Sequence, residues 1–152
     1  MKLEEEIKQK KFRNEYHKLA VNILYTHGWL INHQAAFLKK CGITSAQFNI
    51  LRILRGQYPN PASVNLLKER MLDKMSDASR LVERLKQKDL LDRKICPDDR
   101  RRVEVVITKK GLKLLKDIDK HDNEIDQLFN KLSSSEAKTL NEFLDKMRGK
   151  EK

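Results

Sequence analysis

Residues 97–111 read PDDRRRVEVVITKKG. Three consecutive arginines are followed at once by the apolar residues Val103, Val105 and Ile107 at every second position, which places them on one face. Apolar residues at this spacing predict a half-buried β-strand. Pro97 and the two aspartates that follow it are typical turn formers. The stretch therefore predicts a β-hairpin whose tip holds the three arginines out in solvent.

The segment ahead of this hairpin predicts a helix that runs into a strand. Residues 74–89 place apolar side chains at spacings of three and four, which is typical of an amphipathic helix. The predicted apolar set is Met75, Ala78, Leu81, Val82 and Leu85. Residues 90–95 predict a strand leading into the hairpin, and a shorter helix capped by Ser63 lies ahead of a turn at residues 72–74. Two short helices joined by a tight turn and followed by a hairpin describe a winged helix-turn-helix.

Long helices are predicted on both sides of this module. Residues 3–40 contain no proline and one glycine, Gly28, and their apolar residues recur at helical spacing. We expect a long helix there, either continuous or interrupted near Gly28. Residues 111–132 predict another helix. The fold is therefore expected to be mainly α, with a small two- to three-stranded β-wing and long flanking helices.

Two short signatures mark helix starts. In a capping box, a Ser or Thr at the cap and a Glu or Gln three residues later each accept a hydrogen bond from the other's backbone N–H. Thr44 and Gln47 form one such pair, and Ser133 and Glu136 form the second. We expect helices to begin at both places.

The composition points to an anionic partner. The 152 residues are 39% hydrophobic and 36% charged, and the formal net charge is +11. A balance this basic favours nucleic acid as the partner; the alternative is that the charge serves only solubility. The low apolar content suits amphipathic helices that complete their burial in a partner subunit.

Other classes of protein are disfavoured. The sequence has no phosphate-binding glycine loop, no nucleophile elbow and no metal motif, which argues against an enzyme, a cofactor and a metal site. No apolar run approaches the roughly 20 residues that span a bilayer, and the charged N-terminal residues are unlike a secretory signal. Cys41 and Cys96 lie far apart in the sequence and form no metal-like spacing. A reducing cytoplasm is the simplest environment for such a chain. We expect a cytoplasmic protein that binds no membrane.

The predicted helix-turn-helix offers side chains for the major groove. Its second helix would enter that groove with its N-terminal residues near the base edges. Serine hydroxyls and arginine guanidinium groups suit base edges. The residues predicted for this role are Ser76, Asp77, Ser79 and Arg80, with Lys74 and Arg84 as candidates for phosphate. The alternative is an ordinary solvated helix face.

The predicted wing tip suits the minor groove, which is narrow and concentrates negative potential. Three adjacent guanidinium groups repel one another unless an anion lies nearby. We therefore assign Arg100, Arg101 and Arg102 to DNA, against the alternative of a solvated turn. Asp99 is expected to pair with Arg101 across the turn and to fix its direction.

The block at residues 43–111 resembles the MarR family of bacterial and archaeal regulators. The sequence ITSAQF at residues 43–48 is similar to the start of that family's second helix. SRLVERL at 79–85 and KDLLDR at 88–93 are similar to its recognition helix and exit strand. DRR at 99–101, followed by the alternating strand, resembles its wing signature. These motifs cover nearly half of the chain, whereas the flanking helices agree only in length and order.

The resemblance implies a sequence-specific regulator of transcription that binds double-stranded DNA. It implies a homodimer on a pseudo-palindromic operator, more often a repressor, that responds to a ligand or to stress. The implied parts are an N-terminal dimerisation helix at 1–42, a winged helix-turn-helix DNA-binding domain at 43–111 and C-terminal dimerisation helices at 112–152. Family members hold small aromatic effectors between the dimer helices and the winged domain. The residues implied for an effector are Tyr16, Trp29, His33 and Phe37, which core packing explains equally well.

The chain departs from the family pattern at several positions. Asp89 stands where many relatives carry glycine, and Arg102 stands where a small residue is frequent. Hydroperoxide-sensing relatives use a cysteine early in the first helix, and this chain has none there. No pair of its histidines has the i, i+4 spacing of a helical metal site. We expect passive thiols and ordinary surface or interface histidines.

A winged helix that serves as a protein-interaction module without binding DNA is the alternative function. Affinity for duplex DNA that falls steeply with salt concentration distinguishes a DNA-binding protein from such a module.

Overall fold

The computed structural model describes residues 1–149; residues 150–152, which belong to the predicted C-terminal dimerisation segment, lie outside the described residues. The described chain is mainly helical with a small antiparallel sheet, which confirms the expected fold class. Its elements in chain order are α1 (Leu3–Glu6), α2 (Glu15–Lys40), α3 (Ser45–Gln57), β1 (Ala62–Ser63), α4 (Val64–Arg70), α5 (Ala78–Gln87), β2 (Leu91–Ile95), β3 (Val103–Ile107), α6 (Lys109–Asp119), α7 (Asp122–Gln127) and α8 (Ser134–Arg148).

The chain forms two compact units. The first is Met1–Leu115, which holds the sheet and helices α1 to α5, and the second begins at Lys116, within α6. The winged helix-turn-helix therefore lies wholly within the first unit.

The sheet has β3 at its centre, in the order β1-β3-β2, and both strand pairs are antiparallel. Leu91 lies opposite Ile107 at one end of the β2–β3 ladder, and Ile95 lies opposite Val103 at the other. Val105 and Ile107 are buried and Val103 is half-buried. The predicted alternation is confirmed, and it anchors the hairpin to the core on one face.

The core of the first unit is built by side chains of α3, α4 and α5 together with the sheet. Its fully buried members include Ile50, Leu51, Leu54, Leu67, Val82, Leu85, Leu91 and Val105. Burying a side chain of this size contributes about 1.5–3 kcal/mol. The second helix of the helix-turn-helix and the hairpin are thus fixed to one hydrophobic core.

The N-terminal segment differs from the single helix expected over residues 3–40. The side-chain oxygen of Asn14 accepts a hydrogen bond from the backbone N–H of His17 at 2.9 Å and caps a new helix, α2. Between α1 and α2, Lys8 has a positive φ of 54°. Gly28 does not interrupt α2, because one glycine costs a helix only about 1 kcal/mol.

The helix expected over residues 111–132 is also divided, into α6 and the six-residue α7. The backbone N–H of His121 donates to the carbonyl of Ile118 at 2.9 Å, and turns continue to Leu132. The final helix, α8, begins where the sequence predicts. Its capping box is complete, with Glu136 N–H donating to Ser133 Oγ at 3.1 Å and Ser133 N–H donating to Glu136 Oε2 at 2.8 Å.

The other predicted capping box, at the start of α3, is also confirmed. Gln47 N–H donates to Thr44 Oγ1 at 3.2 Å, and Thr44 N–H donates to Gln47 Oε1 at 3.1 Å. The hydroxyl of Ser63 likewise caps α4 by accepting from Leu66 N–H at 3.1 Å.

Large apolar side chains of α2 and α8 remain exposed, unlike those of α3 to α5. On α2 they are Tyr16, Leu19, Leu24, Tyr25 and Ile31, and on α8 they are Leu140, Phe143 and Met147. Within α2 only Leu38, near its C-terminal end, is buried, and α8 contributes no buried residue among those described.

Candidate nucleic-acid interface

The second helix of the helix-turn-helix, α5, begins at Ala78, so the expected start at Lys74 is wrong. Asp77 is the N-cap residue, and its carboxylate accepts a hydrogen bond from Arg80 N–H at 3.1 Å. Aspartate is a preferred N-cap because its side chain satisfies a backbone donor that the helix leaves free. Ser76 therefore precedes the helix, and Ser79 and Arg80 lie in its first turn.

The turn between α4 and α5 is held by side-chain hydrogen bonds. The N–H of Leu72 donates to Asn49 Oδ1 of α3 at 2.9 Å, and the N–H of Met75 donates to Asp73 Oδ1 at 2.9 Å. The N–H of Ser76 also donates to the carbonyl of Asp73, at 3.3 Å. These contacts set the direction in which the turn presents its side chains.

Lys74 makes local contacts in the structure. Its ammonium group donates to the backbone carbonyls of Lys68, at 3.3 Å, and Glu69, in the last turn of α4. A cation at this end of a helix also interacts favourably with the helix dipole. Lys74 thus stabilises the end of α4 beside the predicted DNA-binding surface.

Met75 lies on the surface, where the sequence predicts a core residue. Its side chain is 93% exposed, and that of Leu72 is 88% exposed. The other members of the predicted apolar set are buried or half-buried. The prediction for Met75 is wrong because α5 begins only after its N-cap residue, Asp77. Met75 lies two residues before that cap and is not part of the helix.

Three of the predicted major-groove residues lie together with Arg84, a candidate for phosphate. A shallow concavity of about 250 Å³ is lined by Ala46 of α3 and by Ser76, Asp77, Arg80, Leu81 and Arg84. Ser79 and Lys74 are exposed but do not line it. The opposite side of α5 carries Ala78, Val82 and Leu85 into the core. The helix therefore presents its polar face outward, with two guanidinium groups on one flank.

The three predicted wing arginines are all exposed at the turn between β2 and β3. The carboxylate of Asp99 accepts a hydrogen bond from the backbone N–H of Arg101 at 2.9 Å, and its carbonyl accepts from Arg102 N–H at 2.9 Å. The N–H of Cys96 closes the hairpin by donating to Arg102 O at 3.0 Å. Asp99 thus fixes the turn through the backbone of Arg101, and not through the side-chain pairing expected from the sequence.

The base of the wing is joined to α5. Arg93 of β2 forms an ion pair with Glu83 of α5 at 2.8 Å, with each side chain more than a third exposed. The hydroxyl of Thr108 donates to the carbonyl of Asp89 at 2.7 Å. The ammonium group of Lys110 donates to the carbonyl of Lys88 at 3.1 Å. The orientation of the wing relative to α5 is therefore fixed by a contact from β2 and by contacts from the residues that follow β3.

Five arginines of the interface have no acidic partner within the described part of the chain. Ion pairs do form elsewhere in residues 1–149, at Arg93 and Arg148 for example, but none involves Arg80, Arg84, Arg100, Arg101 or Arg102. The guanidinium group is always protonated near neutral pH. The surface formed by α5 and the wing is consequently available to an anion.

Sequence reasoning did not identify Asn49 or Asp73, which hold the turn. Asp73 carries a recognisable signal, because aspartate often accepts a hydrogen bond from the backbone two residues on. Asn49 carries none, because its partner Leu72 is 23 positions away in the sequence.

The four residues predicted for an effector all lie on α2. A cleft of about 550 Å³ lies between α1 and α2, and of the four only Trp29 is among its described lining residues. Tyr16 is 82% exposed. The rings of Trp29 and His33 lie 5.0 Å apart, and His33 Nδ1 is 2.8 Å from the carbonyl of Trp29. The structure therefore places Trp29 and His33 together and associates one of them with a cleft.

The cleft has charged and phenolic walls. The ammonium group of Lys18 hydrogen-bonds to the carboxylate of Glu4, which lowers the pKa of Glu4 and raises the pKa of Lys18. Desolvation raises the pKa of the Tyr25 phenol, and the nearby carboxylate of Glu6 acts in the same direction. The cleft can therefore offer hydrogen-bond donors and acceptors beside the indole of Trp29.

Other chemistries find little support in the described residues. Within residues 1–149, no three His, Cys, Asp or Glu side chains are grouped so that they would hold a metal ion. Cys41 and Cys96 are free thiols. Over the same residues, no helix has the length and apolar character required to cross a membrane.

The sequence has relatives among known proteins. The sequence model of the MarR family matches residues 43–103. The HTH-type transcriptional regulator MhqR of Bacillus subtilis (strain 168) is 30% identical over 131 residues, which are 86% of this chain and 89% of that protein.

Solved structures with the same fold include two regulators. A mutant MarR from E. coli, with a cysteine replaced by serine and complexed with operator DNA, has a TM-score of 0.81 at 24% identity, covering 92% of this chain and 100% of that chain. BpsR of Bordetella bronchiseptica, whose DNA binding is regulated by 6-hydroxynicotinic acid, has a TM-score of 0.67 at 25% identity. That comparison covers 84% of this chain and 99% of BpsR.

Proposed function

This chain belongs to the MarR family and is a transcriptional regulator, and we propose that it is a ligand-responsive repressor that binds a pseudo-palindromic DNA operator as a homodimer. The family consists of regulators of transcription and not of enzymes. The proposal assigns DNA binding to residues 43–111 and dimerisation to residues 1–42 and 112–152.

The observation that carries the proposal is the set of five exposed arginines on α5 and the wing, none of which forms an ion pair within residues 1–149. Adjacent guanidinium groups repel one another, which raises the electrostatic free energy of the unbound protein. A bound phosphate would remove that repulsion. Duplex DNA carries one negative charge per ~1.7 Å of helix axis and fits such a surface.

The polar face of α5 is assigned to the major groove. Ser79 and Arg80, in the first turn, are assigned to base edges, where arginine pairs well with guanine O6 and N7. Arg84 lies one turn further along the same flank and is assigned to phosphate, as is Lys74. Asp77 holds the start of the helix through its cap, and Ser76 lies beside it in the concavity.

The wing is assigned to the minor groove. A thin hairpin carrying arginines suits a groove of about 6 Å width, and a narrow groove attracts cationic side chains. Because Asp99 binds the backbone of Arg101, the guanidinium group of Arg101 is left free to enter the groove. Arg100 and Arg102 are assigned to the flanking phosphates.

The dimer is supported by the exposed apolar side chains of α2 and α8. Phe143 is 62% exposed and Leu24 is 71% exposed. An isologous dimer would bury these faces on both chains. It would present two copies of α5 about 34–36 Å apart, one turn of DNA, and would thus require two half-sites in the operator.

The effector is supported by the cleft between α1 and α2. Hydrogen-bonding groups and one indole ring suit a small hydroxylated aromatic acid, and the relative BpsR is regulated by a molecule of that kind. A ligand changes DNA affinity only if it binds two arrangements of the dimer differently. We assign the contact with the ligand to Trp29, with His33 supporting the indole and Tyr16 and Phe37 on the same helix.

DNA binding is tested by selecting duplexes from a randomised pool with the full-length chain and measuring their affinity by fluorescence anisotropy over a range of salt concentrations. We expect enrichment of a pseudo-palindrome and a log Kd that rises steeply with log salt. A folded chain that binds no duplex at low ionic strength would instead support the protein-interaction module.

Dimerisation is tested by light scattering. We expect twice the chain mass of 17.9 kDa. Phe143→Glu should yield monomer, whereas Tyr58→Glu, at an exposed apolar position outside α2 and α8, should not. A wild-type monomer would contradict the assignment of these helices.

Ligand binding is tested with 6-hydroxynicotinic acid and related hydroxybenzoic acids. Trp29 is the single tryptophan of the chain, so its fluorescence reports directly on the cleft. We expect a fluorescence change at the same ligand concentration that releases the DNA. Release of DNA without a change at Trp29 would place the effector elsewhere.

A further inference from the structure

Two apolar side chains project from the turn between α4 and α5. Leu72 is 88% exposed and Met75 is 93% exposed, and both precede the N-terminus of α5. Burying either side chain would be favourable, so its exposure leaves apolar surface available to a partner. The structure leaves them in solvent at the point where a helix-turn-helix approaches the base edges.

The position of these side chains is set by the backbone of the turn. The N–H of Leu72 binds Asn49 Oδ1 and the N–H of Met75 binds Asp73 Oδ1, each at 2.9 Å. Lys74, between them, is tied back to the carbonyls of α4. The turn is therefore built to present these two apolar groups, and their exposure does not result from a loose segment.

The surroundings of the two side chains identify the kind of partner. Lys74, Arg80 and Arg84 lie close by in the sequence and are exposed. The neighbouring carboxylates of Asp73 and Asp77 accept hydrogen bonds from backbone N–H groups. The cations of this segment therefore favour a polyanion over an apolar protein surface as the partner. The apolar group that double-stranded DNA offers in its major groove is the 5-methyl group of thymine.

We propose that Met75 and Leu72 contact thymine methyl groups in the major groove, so that the turn ahead of α5 adds specificity for A·T pairs at defined operator positions. This inference rests on the proposed DNA binding. The unbranched thioether of Met75 adapts its shape easily and makes the principal contact, and Leu72 extends the apolar surface.

The test uses the operator recovered by selection, with thymines replaced one at a time by deoxyuridine, which removes only the methyl group. For the wild-type chain we expect Kd to rise about threefold to tenfold at one or two positions in each half-site, as for the loss of one buried methyl contact. In Met75→Ala the same replacements should change Kd less than about 1.5-fold, since the partner of the methyl group is gone.

Two variants separate this contact from general damage. Met75→Leu keeps an apolar side chain and should retain the sensitivity to deoxyuridine. Ser79→Ala should weaken binding and yet keep the same sensitivity, because it removes a hydroxyl contact and leaves the methyl contact intact. Thermal unfolding monitored by circular dichroism should be unchanged in Met75→Ala, as expected at an exposed position.

Each outcome bears on the proposal. A selected operator on which no deoxyuridine replacement alters wild-type affinity overturns it, as does an equal penalty in wild type and Met75→Ala; in both cases the proposed DNA binding stands. A chain that selects no duplex overturns both proposals together.

Discussion

Asn49 and Leu72 are 23 positions apart in the sequence and are joined by a hydrogen bond of 2.9 Å from the backbone N–H of Leu72 to Asn49 Oδ1. The bond links α3 to the turn that precedes α5. A side chain of α3, the helix ahead of the helix-turn-helix, thus fixes the approach to α5.

Replacing Asn49 should loosen this turn. In Asn49→Ala we expect faster hydrogen exchange at the Leu72 amide and a two- to tenfold loss of operator affinity, because a hydrogen bond of this kind contributes about 0.5–1.5 kcal/mol. Asn49→Asp keeps an acceptor and should retain the protection of that amide. Equal exchange rates in wild type and Asn49→Ala would show that the bond does not hold the turn.

The wing arginine Arg101 should contribute directly to affinity. We expect Arg101→Ala to weaken operator binding by about 1–3 kcal/mol and to reduce the salt slope by about one. Anisotropy titrations at several salt concentrations measure both quantities. Arg148→Ala, which removes an arginine already paired with Asp145 in α8, is the matched control. Unchanged affinity and slope in Arg101→Ala would refute the assignment of the wing.

Asp89 has a φ of 59°, in the left-handed region that favours glycine. This backbone conformation suits the glycine that the family resemblance leads us to expect at this position. Asp89→Val should lower the free energy of unfolding by about 1–2 kcal/mol, because a β-branched residue is strained there. Asp89→Gly and Asp89→Asn should change it by less than about 0.5 kcal/mol, since both tolerate this region. Urea denaturation at one fixed protein concentration measures the differences.

Gly111 cannot accept a side chain without a shift of the backbone. A Cβ there would lie 2.4 Å from the carbonyl oxygen of Leu90 and 2.7 Å from Cγ1 of Ile107. We expect Gly111→Ala to cost about 1–3 kcal/mol in the free energy of unfolding. Gly56→Ala in α3 is the control, since a Cβ at that position would meet nothing within 4 Å; it should stabilise the chain by about 0.5–1 kcal/mol. Similar effects at both glycines would contradict the close packing at Gly111.

The Glu4–Lys18 ion pair should make the docking of α1 on α2 sensitive to acid. The pKa of Glu4 is lowered from 4.5 in the folded chain, chiefly by the hydrogen bond from Lys18. Its stabilising contribution is therefore complete above pH 4.5 and is lost as the pH falls through the lower, folded value. We expect Trp29 fluorescence to report this loosening below pH 4.5.

Variants at the two lysines check the cause of the shift. In Lys18→Met, the pKa of Glu4 measured by NMR should return toward 4.5, whereas Lys2→Met, which removes a weaker coulombic influence, should move it less. An unshifted Glu4 in the wild type would contradict the ion pair.

The parts of the fold that sequence could predict are those fixed by neighbouring residues. The capping boxes at Thr44 and Ser133 depend on a partner three residues away, and both are present. The alternation of Val103, Val105 and Ile107 determines which face of the hairpin is buried, without any information on contacts distant in the sequence.

The predicted helix boundaries were wrong where apolar spacing and an N-cap residue indicated different starts. Met75 has the correct spacing for the apolar face of α5, but the helix begins after Asp77 and does not include Met75. Asn14 similarly starts a helix inside a segment whose apolar period is continuous by spacing alone. In both places the capping residue decided the boundary, and a strong N-cap former was visible in the sequence.

The charged residues of the candidate site could be predicted from the sequence, but the contacts that hold them in position could not. Exposed arginines at the wing follow from the hairpin pattern alone. The supporting contacts, Asn49 to Leu72 and Glu83 to Arg93, join residues on different elements. No periodicity in the sequence encodes which elements meet.

Trp29 and Leu38 lie on the same uninterrupted helix, α2, separated by about 14 Å at 1.5 Å per residue. Trp29 borders the cleft, and Leu38 is buried. The carbonyl of Leu38 accepts a hydrogen bond at 3.3 Å from the N–H of Ile43, just before α3. A helix has no soft joint between these two points. The segment between them is rigid, so a ligand that tilted α2 at Trp29 would also displace its Leu38 end, beside the start of α3.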